Sequence, residues 1–255
     1  MDKFFNNFDF RNFFNIDKSN VISTNAMVAS SHPIASSVGL DILKSGGNAV
    51  DAAIAMNAIL CIAEPHMTGV GGDCFVMLSV DGGTNIKALN GSGKSSSNAK
   101  ASILRKKNIH KITPEMPEAI TIPGAVAAWS LLHKEHGYML WQELFYPAIK
   151  YAKHGIKVHE RVALDWSKNT QKLSLDSDTS KLFLKNGKSF KFMDNFKNEN
   201  LSETFRTISE EGFDGFYNGW VANDMLKKLQ SIGGNHISND FCNTKAEWVK
   251  PVSSN

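Results

Sequence analysis

The order of elements in this chain predicts a helix-rich α+β fold. Two helical segments come first, one apolar hairpin follows, and the remainder reads mostly as helices. No strand–helix–strand alternation of the kind that builds a parallel sheet recurs. Residues 1–24 read as an aromatic arm whose Phe residues are expected to pack onto the body, and residues 25–255 as the main region.

Taken in order, residues 26–30 (AMVAS) form a short apolar run suited to a buried strand. Ser31 as cap and Pro33 in the first turn then open a helix that ends at Gly46-Gly47. Asn48 caps a second helix, AVDAAIAMNAILCIA, which is apolar nearly all round and therefore expected to be buried; Pro65 stops it. MTGVGGD reads as a loop. CFVMLSV reads as a continuous apolar strand, turning through Asp81-Gly82-Gly83 into the antiparallel NIKALN. Residues 92–116 are expected to be a mobile loop. A short strand, a Pro123-Gly124 turn and a helix ending at Gly137 follow. LWQELFYPAIKYAKHG and HERVALDWSKNTQKL carry helical periodicity, and two further helices meet about a glycine-rich corner near residues 212–219.

Composition excludes several classes. A net charge of +3, from 28 Lys+Arg against 25 Asp+Glu, leaves no electrostatic footprint for nucleic acid. The uncharged apolar run at residues 52–63 is too short to span a bilayer, so no membrane partner is expected. The amino terminus has no apolar signal core, and the chain as given reads as cytoplasmic. Cys61, Cys74 and Cys242 make no CxxC pair and are expected to be buried free thiols.

Each motif with chemical potential has a plainer competitor. The GVGGD loop follows a helix and opens a strand, the reverse of a dinucleotide loop, which favours close backbone packing or a site lining over a phosphate cradle. Glu64 and His66 flank a proline, and a structural role outweighs general-base work. His133 and His136 share a helix face without a third ligand; they read as surface histidines near the helix C-terminus, and no metal or cofactor is expected. No GxSxG, HExxH or SxxK pattern supplies a nucleophile.

The blocks SGGNAVDAAIAM, EPHMTGVGGDCFVML, ALNGSGK, IPGAVAAWSLLHKEHG, LWQELFYPAIKYAKHG, LSETFRTISEEGFDGFYNG and AEWVKP, in that order, resemble the amino-terminal part of gamma-glutamyltranspeptidases. The resemblance implies an N-terminal-nucleophile (Ntn) hydrolase fold, with αββα layers of which this region is the large-subunit part. It implies a precursor that cuts itself before an internal Thr, whose amine and hydroxyl then attack a γ-glutamyl or related amide. That Thr is expected in a small subunit beyond this sequence, since Thr244 precedes KAEWVKP and lies too early. No residue of this chain is therefore expected to be catalytic, and the chain alone should not hydrolyse anything.

The same resemblance places the donor-binding residues at Ser92 and Lys94. The family's carboxylate-clamping Arg is replaced here by Ser92, which cannot offer a guanidinium fork. Lys94 can supply a point charge, or stand as a solvated loop lysine; the two readings weigh equally. LNGSG followed by a basic residue is similar to a branch that includes oxamate amidohydrolase-like proteins. The alternatives are thus a donor other than glutathione, or a non-catalytic fragment or scaffold with an exposed half-core.

Overall fold

The computed structural model describes residues 21–254, so most of the aromatic arm lies outside the described residues. Its elements run α1 (Pro33–Lys44), α2 (Ala49–Ala63), β1 (Cys74–Ser79), β2 (Ile86–Gly91) and α3 (Ala101–Lys106). These are followed by α4 (Ala125–His136), α5 (Tyr146–His154), β3 (Ile156–Lys157), α6 (Glu160–Lys168), α7 (Thr170–Leu173) and α8 (Ser177–Phe183). The chain then forms β4 (Asn195–Phe196), α9 (Glu199–Tyr217), α10 (Trp220–Ser231), α11 (Ser238–Cys242) and β5 (Glu247–Val249). The α+β class read from the sequence stands.

Helix α2 is the axis of the core. Its apolar residues lie on every side, and it packs against α1, α4 and α5, with Ile54, Ala55, Ala58, Ile59 and Ile62 essentially sealed from solvent. The alanines let neighbouring backbones approach closely, which gives dense dispersion contact without bulky side chains. Its start is built as the sequence suggests. Asn48 accepts the N–H groups of Val50 and Asp51, and Asp51 accepts that of Asn48, a reciprocal capping box. Asp51 does more than cap: buried, it also accepts the N–H groups of Tyr138 and Met139, and Asn48 donates to the His136 carbonyl. The link after α4 is thereby tied to the start of α2.

Strands β1, β2 and β5 form one antiparallel sheet with β2 central; β3 and β4 make a separate two-stranded ribbon. In the β1–β2 register Cys74 pairs with Gly91 and Val76 with Leu89, while Phe75 pairs with Asn90 and Met77 with Ala88. Paired residues share a face. The face bearing Val76, Leu89 and Trp248 is covered by α4; the other bears Phe75 and Met77, 69% and 70% exposed, with Val249 beside them. The apolar run in β1 is thus continuous because both its faces are apolar, yet only one is covered by described residues.

Several sequence expectations are corrected. Residues 26–30 form no strand, because no described strand lies alongside to complete a ladder, and only Val28 and Ser30 are half-buried. The cap of α1 is His32, whose Nδ1 accepts the Ile34 N–H, while Ser31 instead donates to Glu64 Oε2 at 2.6 Å. The segment before α4 is a single 3₁₀ turn, Pro117–Ala119, and then extended backbone; prolines at both ends remove the N–H donors a strand needs. The loop after β2 contains the short, exposed α3. The corner near residue 212 is a kink inside α9, where Gly212 takes φ +63°. Of the thiols, Cys61 is buried, Cys74 half-buried and Cys242 exposed.

Candidate functional site

Three backbone segments cross at one end of the sheet: the glycine loop 69–73, the end of β2 running into residues 92–94, and the turn 122–125 that starts α4. The crossing demands glycine at Gly91, Gly93 and Gly124. A Cβ on Gly93 would overlap the Ile122 carbonyl, one on Gly124 the Gly91 carbonyl, and one on Gly91 the Ala128 side chain. Main-chain bonds stitch the segments together. The Gly72 carbonyl accepts the N–H groups of Gly124 and Ala125, each at 3.0 Å, and the Lys94 carbonyl accepts that of Ile122 at 2.9 Å. With the first N–H groups of α4 taken by Gly72, the loop presents no empty helix N-terminus of the kind phosphate sites use.

Side chains fix the same crossing. Asp73 Oδ1 accepts the Gly93 N–H and Asn90 Oδ1 accepts the Ser92 N–H, both at 2.9 Å. The buried Tyr217 reaches in from α9. Its hydroxyl donates to the Pro123 carbonyl at 2.7 Å and accepts the Ala127 N–H at 3.1 Å, and burial pushes its pKa up. Further along, Ser96 donates to the Asn235 carbonyl and Asp240 accepts the Ser97 N–H. Burial alone would raise the Asp240 carboxyl. Hydrogen bonds from the Ile237 N–H, Ser97 and Ser96 outweigh it and hold the group below its ordinary range.

The two residues singled out by resemblance, Ser92 and Lys94, therefore lie on one tightly pinned turn. Ser92 is half-buried; Lys94 projects into solvent with no ion-pair partner among the described residues. The other candidates are engaged elsewhere. Glu64 receives the Ser31 hydroxyl, and His66 sits 3.4 Å from the Asp165 carboxylate. His133 Nε2 lies 2.9 Å from the Met139 carbonyl, and the His136 ring meets the edge of Trp248. Both histidines are half-buried packing groups rather than surface ones, and no metal-binding cluster occurs among the described residues. The Cys61 thiol is pushed up to about 12 by burial and that of Cys74 is raised by the same cause, which suppresses the reactive thiolate. Asp73, Asn90 and Tyr217 escaped the sequence reading. For Asp73 the reason is the strand register, which the sequence did not give: the pairing of Cys74 with Gly91, extended by one residue, sets Asp73 across from Ser92.

Comparison with known proteins identifies the family. A model of the family described as gamma-glutamyltranspeptidase matches residues 35–255. The chain is 35% identical over 234 residues to the glutathione hydrolase-like YwrD proenzyme of Bacillus subtilis (strain 168), covering 92% of this chain and 44% of that protein. It is 30% identical over 234 residues to the glutathione hydrolase proenzyme of Escherichia coli (strain K12), covering 89% of this chain and 40% of that protein. It thus spans less than half the length of either. The structure of Helicobacter pylori gamma-glutamyltranspeptidase superposes with a TM-score of 0.85 at 29% identity, covering 92% of this chain and 68% of that one. With its glycine crossing and its sheet inside the matched region, the chain belongs to the gamma-glutamyltranspeptidase family, of which it represents the large-subunit part.

Proposed function

We propose that this chain supplies the large-subunit half of an Ntn amidohydrolase that cleaves γ-glutamyl or related amide bonds, the nucleophile being the N-terminal Thr of a small subunit outside this sequence. The observation that carries the reading is the family match across residues 35–255. The open face of the sheet supports it, because Phe75, Met77 and Val249 are positioned to receive a second sheet layer. In such a site the Thr hydroxyl attacks the amide carbon while its own amine takes the proton and passes it to the departing amine, so that the C–N bond breaks and an acyl-Thr ester remains. The acyl group then passes to water or an acceptor amine. The role of this chain is to hold the donor through the turn at residues 92–94. Co-expression with a Thr-starting small subunit tests the reading. Hydrolysis of a γ-glutamyl anilide is expected from the assembled protein and not from this chain alone; an assembled but inert complex would overturn it.

A second reading concerns the donor. Ser92 offers a hydroxyl where an Arg fork would hold a carboxylate in two hydrogen bonds, and Lys94 is the cation nearest in sequence. This favours a donor other than glutathione, such as a small acidic amide of the oxamate type. Competition between a γ-glutamyl anilide and oxamate in the assembled enzyme decides it, stronger turnover of oxamate being the expected result.

A further inference from the structure

We infer that Asp73 is the positioning residue of the donor-binding turn, acting through the backbone of residues 92–94; this rests on the amide-hydrolase reading above. The sheet register sets Asp73 across from Ser92, at the point where β2 leaves the ladder and has no further strand bonds to define its path. The Asp73 carboxylate takes over that task by accepting the Gly93 N–H at 2.9 Å. Asn90 holds the neighbouring Ser92 N–H, and the Lys94 carbonyl is held by Ile122, so three successive residues are fixed through their main chain. The exposed Lys94 and the half-buried Ser92 thus project from a backbone held by these three bonds. Gly93 must be glycine for this path, since its α-carbon lies against the Ile122 carbonyl. Releasing Asp73 frees the middle of the turn and lets the two donor-facing side chains move apart, without touching the reacting atoms.

The test uses the assembled enzyme and a γ-glutamyl anilide as donor. Asp73→Ala is expected to raise KM about tenfold, the scale of one charge-assisted hydrogen bond, while kcat stays within roughly threefold. Asp73→Asn keeps an acceptor oxygen and is expected to restore most of the KM. Asn90→Ala, which releases the adjacent Ser92 N–H, is expected to shift KM in the same direction. Amide exchange at Gly93 is expected to be slow in the wild type and fast in Asp73→Ala. An unchanged KM in Asp73→Ala, a loss confined to kcat, or failure of Asp73→Asn to rescue would each overturn the inference. An assembled wild type that hydrolyses nothing would instead overturn the functional reading on which it rests.

Discussion

At the scale of single residues, two buried groups decide local stability. His32 is only 1% exposed and caps α1 with Nδ1; burial and then the ring of His159, 4.2 Å away, lower its pKa to about 4. In the unfolded chain its pKa is the ordinary 6.5. Between those values the unfolded state binds the extra proton, so stability falls as pH drops from about 6.5 towards 4. A melting temperature that declines over this window is expected, with the decline flattened in His32→Asn, which keeps a capping oxygen. The carboxylate of Asp240 is depressed instead, so the stability it contributes is lost only at lower pH. Tyr217 is the second case. Tyr217→Phe strips partners from the Pro123 carbonyl and the Ala127 N–H, both inside the protein, and is expected to cost about 1–3 kcal/mol in urea unfolding. Neither role was readable beforehand. His32 displaced the better capping residue Ser31, which is committed to Glu64, and Tyr217 acts across more than ninety positions of sequence.

At the scale of elements, the parts with local causes were readable and the parts with distant causes were not. The Asn48 cap of α2 and the turn at residues 81–83 are each built by neighbours in sequence, and each was anticipated; the corner expected near residues 212–219 proved to be a kink inside α9. Strand β5 was missed because its three residues exist as a strand only by pairing with β2, far away in the chain. Residues 26–30 erred the other way, having strand composition but no described partner. The crossing of the three glycine segments belongs here too. Gly93→Ala is expected to drive its new methyl into the Ile122 carbonyl and to yield little folded protein, whereas Gly71→Ala, with open space around it, is expected to melt within about 0.5 kcal/mol of the parent. Equal stability of the two variants, measured by thermal unfolding, would contradict the close approach.

At the scale of the whole molecule, the described residues cover one face of the sheet and leave the other open. Burying Phe75 and Met77 is worth roughly 1.5–3 kcal/mol each, which is the gain a second layer on this face would bring. Its existence could not be read from CFVMLSV, which is apolar at nearly every position and hides the alternation. Ser92 and Lys94 were singled out as candidates by resemblance, while the hairpin register that brings Asp73 beside them emerged only from the folded chain. Phe75→Ser with Met77→Ser is expected to reduce dye binding by the isolated chain and to weaken its capture of a small subunit. The most direct measurement is hydrolysis of a γ-glutamyl anilide and of oxamate by this chain alone, by the chain assembled with a Thr-starting small subunit, and by the assembly with that Thr changed to Ala. Activity in the second sample only is the expected result; an equally inert, well-assembled second sample would contradict the placement of this chain as half of an amidohydrolase.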